Sequence, residues 1–199
     1  MRVLESNLKY IFEINSIMST LLKWSVGDYH RMIESGILSN RSVELLEGEI
    51  VTVSPEGPLH RFTNDFIAEY LRELLKGVAK VFEAHPITLS NSEPEPDIAI
   101  VRLPNTNYLT RHPYPEDIYW LIEISNTTLE DDLNRKKKIY AKEGINEYWV
   151  IDLKNTELII FREPLDNDYK TNLTFKEGMV SAISFPNIGI AVSELLRKI

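Results

Sequence analysis

At 199 residues, 43% hydrophobic and 26% charged, the chain is long enough for one globular domain with a real core and too apolar for intrinsic disorder. It has no cysteine, which excludes disulfides and thiolate metal sites, leaves oxygen or imidazole ligands for any metal, and suits a reducing cytoplasm. A net charge of -8 argues against tight nonspecific wrapping of nucleic acid, and no apolar run approaches a membrane span or a signal-peptide core.

In chain order, residues 1–17 are mixed in character and Met18 to Trp24 reads as a second beginning. Residues 18–199 are therefore expected to form a single domain and 1–17 a dispensable extension. A chain starting at Met18 should still unfold cooperatively in a thermal melt, and failure to fold would overturn this. Ser25 to Gly36 predicts a short capped helix, and Val43–Leu46, Glu47-Gly48 and Glu49–Val53 predict a β-hairpin. After the break at Pro55 to Pro58, Phe62, Phe66, Tyr70 and Leu74 recur at helical spacing between His60 and Lys76, and Val78 to Leu89 reads as a strand.

An acidic, proline-rich lead from Ser92 to Pro96 then runs stiffly into Asp97 and a short apolar strand, Asp97 to Val101. The connection from Leu103 to Glu116 is long enough for a functional flap but reads better as a disordered connection. In the next strand, Tyr119 to Ser125, Glu123 interrupts an otherwise buried run, and burying an unpaired carboxylate is costly. A helix follows from Thr127 to Gly144, with acids early, bases late and glycine at its end, and then a strand from Glu147 to Leu153. Further strands are expected at Glu157–Arg162, Tyr169–Phe175 and Val180–Ser184, with a short helix within Ile190–Ile199. The pattern predicts an α+β domain with a mixed central β-sheet flanked by helices.

The central stretch carries the chemistry. If the strands beginning at Asp97 and containing Glu123 are neighbours, their carboxylates can meet. At about 100° per residue, Leu129, Leu133, Ile139 and Tyr140 form the core-facing stripe of the following helix, with Lys136 near its middle and Lys137 toward its edge. Two carboxylates and an ammonium can support divalent-metal hydrolysis of a phosphodiester. They can equally form a structural ion-pair network, and the spacing alone leaves both readings open. Asp132, one turn before Lys136, reads as its helix-stabilising partner, and the basic run Arg135 to Lys138 as a solvated face. His30, His85 and His112 show no ligand spacing.

Pro96-Asp97, Glu123-Ile124-Ser125 and a displaced helical lysine resemble the PD-(D/E)XK nuclease superfamily. The stretches Val43 to Glu49, Ser54-Pro55 through His60, Asp132 through Lys136 with Tyr140, and Gly144 to Asp152 resemble more closely a family of restriction-endonuclease-like proteins abundant in cyanobacteria. The likeness runs from about Trp24 to the C-terminus. It implies a restriction-endonuclease-like core of αβββαβ type, Asp97 and Glu123 as ligands of Mg²⁺ or Mn²⁺, Lys136 as the catalytic lysine, and accessory roles for Glu44 and His60. Ser125 stands where the superfamily's usual lysine would be, so catalysis requires Lys136 to reach in from the helix. The implied function is an Mg²⁺-dependent DNA endonuclease, working as a cytoplasmic homodimer. The alternative is a noncatalytic nucleic-acid-binding or assembly protein that retains the fold.

Overall fold

The computed structural model describes residues 21–197, so the expectation for residues 1–17 lies outside the described residues. Ser25 caps the first helix, α1 (Val26–Glu34), by accepting from Asp28 N while Asp28 accepts from Ser25 N, a reciprocal capping box. Strands β1 (Val43–Leu46) and β2 (Glu49–Thr52) form the expected hairpin. Its turn residues Glu47 and Gly48 have φ of 50° and 76°, as a tight hairpin turn requires. Gly48 is needed for a second reason: a Cβ there would meet Lys23 Cβ at 2.9 Å and the Trp24 carbonyl oxygen at 3.0 Å.

Helix α2 (Pro58–Leu74) starts with proline at its first position, where the missing N–H costs nothing. The stripe that it buries is Thr63, Asn64, Ile67, Ala68 and Leu71, which differs from the sequence-based expectation. Phe66, Tyr70 and Leu74 pack at the margin of the core and Phe62 is 52% exposed, because the small and polar residues let the helix approach the sheet closely. Strand β3 (Lys80–Glu83) is also shorter than expected. Ala84 at φ 47° ends it, and residues 87–89 hydrogen-bond to Pro94, Pro113 and Ser92 instead of to a strand.

The sheet continues through β4 (Ile98–Val101) and β5 (Ile118–Ser125). A helix over 129–142, α3, then leads to β6 (Glu147–Asp152), β7 (Glu157–Leu165) and β8 (Asp168–Phe175). The order is β3-β4-β5-β6-β7-β8, and β5 with β6 is the parallel pair that needs the α3 crossover. Short strands β9 (Met179–Val180) and β10 (Ile190–Ala191) pair with each other, so the strand expected over Val180–Ser184 is only two residues long, and α4 (Val192–Leu195) follows. The long connection after β4 is ordered by two 3-10 turns and by Arg111, which grips Asp117 through two nitrogens.

Both faces of the sheet are covered, which is why β5 and β6 read as nearly continuous apolar runs. One face carries Ile98, Ile100, Trp120, Ile122, Ile124 and Trp149 against α2, with the two indoles 5.7 Å apart. The other carries Ala99, Val101, Leu121, Tyr148 and Val150 against Ile139, Tyr140 and Ala141 of α3. The fold is thus α+β, with a mixed six-stranded sheet flanked by helices. Among the described residues no helix is long and apolar enough to cross a membrane.

Candidate active site

Antiparallel pairing of Ile98 with Ile122 and Ala99 with Leu121, carried one step further, sets Asp97 opposite Glu123 on the α3 face. Asp97 is held from two sides: its Oδ2 accepts from Ile124 N at 2.6 Å and lies 3.2 Å from His60 Nε2. Glu123 is 3% exposed, and its Oε1 accepts from Lys136 Nζ at 2.9 Å and from Tyr140 Oη at 2.8 Å.

Helix α3 addresses β5 at four-residue intervals. It comprises Leu129–Asp131, a π-helical turn Asp132–Lys136 and Lys137–Lys142. Asp132 accepts from Ser125 Oγ at 2.7 Å, and Lys136 and Tyr140 reach Glu123. π-Helical turns recur at functional sites, and this one brings both charged residues to the sheet. Asp132 also accepts from Thr128 Oγ1 at 2.8 Å, so its hydrogen bonds go to two hydroxyls rather than to the lysine that the spacing suggested. The basic run is divided among separate partners: Arg135 reaches Glu49 and the Leu46 carbonyl, Lys136 turns inward, and Lys137 pairs with Asp168.

Glu44, buried in β1, accepts from Glu95 N at 3.0 Å and lines the same cavity as Asp97, Glu123, Asp132 and Lys136. His60 enters this cavity from the first turn of α2, where Glu56 Oε2 lies 3.8 Å from its Nδ1. Ligand atoms of Glu56, His60 and Asp97 all lie within 4.8 Å of one another. Glu56, Glu95, Asp132 and Tyr140 also belong to the site, and the sequence alone assigns none of them a site role. The available signal was indirect: an acid, Glu56, within the Pro55–Pro58 break, and acids alternating with prolines before Asp97.

The electrostatics are those of crowded acids around one buried cation. Burial pushes the Glu123 carboxyl well above the usual carboxylate range; Lys136 opposes the shift, while Asp97, Asp132 and Glu44 reinforce it. Burial also raises Asp132, against the pull of Lys136, Ser125 and Thr128. Burial disfavours the charge on Lys136, but Glu123, Glu44, Asp132 and Asp97 outweigh it and raise its pKa, so the ammonium persists. For His60, burial is likewise outweighed by Asp97 and Glu56, and its pKa rises. A divalent cation suits such a site. Asp97 Oδ1 and Glu123 Oε2 accept no hydrogen bond among the described residues, and His60 Nδ1 is buried without a hydrogen-bond partner.

None of the curated proteins matches the chain. Among solved structures, a nuclease from Anabaena variabilis, described as putative and as belonging to DUF820, is similar with a TM-score of 0.60 and 18% identity, over 77% of this chain and 89% of that one. At that identity the likeness speaks for the fold alone. The family model named Uma2, described as "Putative restriction endonuclease", matches residues 26–193. This span takes in every strand, the three long helices and the whole acidic site, and the chain belongs to the Uma2 family.

Proposed function

We propose that the protein is a Mg²⁺-dependent endonuclease that hydrolyses phosphodiester bonds in DNA, with Asp97, Glu123 and Lys136 as its catalytic residues. The observation that carries this reading is the Lys136 ammonium 2.9 Å from Glu123, in a cavity of about 450 Å³ that Asp97 also lines. Asp97 and Glu123 would hold the ion through the oxygens left free of protein donors, with His60 and Glu44 in accessory positions. Bound there, Mg²⁺ or Mn²⁺ supplies a Lewis acid for the phosphoryl oxygens and a more acidic water.

The chain's own residues do the rest. Lys136 stays protonated, so it acts as a fixed positive charge that orients water and stabilises charge building on the phosphate. Ile124 N and His60 hold Asp97 Oδ2, which fixes the carboxylate plane before any ligand arrives. Tyr140 does the same for Glu123. Arg41 and Arg61 line an adjoining cavity that shares Ser54, Glu56 and Glu95 with the site, and they offer cations to phosphates flanking the scissile one.

Labelled duplexes of one sequence, as DNA and as RNA, test the reading. The DNA should be cleaved with Mg²⁺ and left intact with EDTA. Binding without cleavage under every divalent metal would instead favour the noncatalytic alternative.

We also infer a homodimer in the cytoplasm, since cutting both strands of a duplex calls for two sites related by a twofold axis. Light scattering should give twice the 23.0 kDa chain mass. A monomeric mass throughout the micromolar range would count against it.

A further inference from the structure

Two of the three histidines outside the site converge on one buried carboxylate, although nothing in their sequence spacing foretells it. His30 comes from α1, Glu93 from the lead into β4, and His112 from the connection after β4. His30 Nε2 lies 2.8 Å from Glu93 Oε1 and 2.7 Å from Oε2, and Glu93 is 3% exposed. The His30 and His112 rings stand 6.3 Å apart at 69°. One ligand atom from each of His30, Glu93 and His112 falls within 4.8 Å of the others. Thr88 Oγ1 donates to Glu93 Oε2 at 2.8 Å, the kind of outer partner that orients a ligating carboxylate. His85, by contrast, faces the Glu83 carbonyl and stacks on Phe82.

We propose that His30, Glu93 and His112 form a metal site separate from the acidic cavity, and that it takes Zn²⁺. Two imidazoles and one carboxylate suit a borderline cation, whereas Mg²⁺ prefers an all-oxygen shell. Ligand bonds of about 2.0–2.2 Å put tetrahedral donors roughly 3.3 Å apart, so side-chain torsions alone can draw the three onto one ion. His30 is partly exposed, which leaves water as the fourth ligand. Glu93 precedes Asp97 by four residues, with Pro94 and Pro96 stiffening the link. An ion here therefore clamps α1 and the connection after β4 onto the segment that aims Asp97. The site stands independently of the nuclease reading, and its failure would leave that reading untouched.

The chain has four histidines, so ring ¹⁵N NMR of the full protein can follow each one during a Zn²⁺ titration, with signals assigned by ring-to-backbone correlations. The ring nitrogens of both His30 and His112 should move to coordinated values over one equivalent, with His85 unaffected. Shifts confined to His60, or none at His30 and His112 at saturating Zn²⁺, would overturn the proposal. His112→Asn should weaken this equivalent by more than the roughly 10–100-fold typical of losing an outer-shell partner. If that variant does not fold, the wild-type titration decides alone.

Discussion

Lys136→Met is expected to lower DNA cleavage by about 10²–10³-fold, the range found when one preorganised charge-stabilising donor is removed, while the protein still folds. Methionine keeps most of the lysine stem and its packing but removes the ammonium 2.9 Å from Glu123. Taking one partner from a buried pair can cost about 3–5 kcal/mol when the other is left charged. Here Glu123 can escape that penalty, because once Lys136 no longer opposes them, burial and the neighbouring acids drive its carboxyl toward the protonated form, and Tyr140 still donates to it. Lys137→Met is the control: its partner Asp168 is largely exposed, and such a pair is worth roughly 0–1 kcal/mol. Single-turnover cleavage with circular dichroism alongside separates the two substitutions. Equal rates for wild type and Lys136→Met would remove the lysine from the mechanism.

The second large effect concerns stability. Glu147 is 0% exposed, and its Oε1 accepts from Trp149 Nε1 and Arg162 Nε, each at 2.8 Å, while its Oε2 accepts from Ile183 N at 2.7 Å. Arg162 also donates to the Ser181 carbonyl at 2.6 Å, so one carboxylate joins β6, β7 and the segment after β9. Glu147→Ala strands the indole N–H, a backbone N–H and the Arg162 Nε–H, and leaves the guanidinium charge without its carboxylate. Urea unfolding should show a loss of about 3–5 kcal/mol, the range for breaking a buried ion pair. A loss under about 1 kcal/mol would mean that water or a rearranged Arg162 replaces the carboxylate.

Glu147 also shows what a structural ion-pair network looks like in this protein. Both of its oxygens are matched by donors. In the acidic cavity Asp97 and Glu123 each keep one oxygen without a donor among the described residues, and His60 Nδ1 has no hydrogen-bond partner there. The contrast supports the proposed cation-binding role over a second structural network.

Much of this was legible in the chain. Period-2 alternation put Asp97 with Ala99 and Glu123 with Leu121, and helical periodicity put Lys136 among Leu133, Ile139 and Tyr140, because these signals are local. The hairpin was announced by Glu47-Gly48. The buried face of α2 was not: Phe62 and Phe66 dominate the sequence pattern, while the helix turns Thr63 and Asn64 inward, where tertiary packing overrides apolarity. The spacing of Asp132 and Lys136 suggested a pair, but hydroxyls on β5 and before α3 claim the acid. The meeting of His30 with His112 depends on how α1 and a long connection fold over the sheet, and no local pattern encodes it.

Cleavage of supercoiled plasmid DNA, followed against Mg²⁺ concentration for wild type and an identically purified Asp97→Ala protein, bears most directly on the assignment of the acidic cavity as the catalytic centre. Asp97 belongs to the cavity's donor set, and its removal leaves the sheet's apolar pairing intact. Wild type should cleave with a saturable dependence on Mg²⁺, and Asp97→Ala should stay at background throughout. Identical Mg²⁺ curves for the two proteins would contradict the assignment and trace the cleavage to some other source.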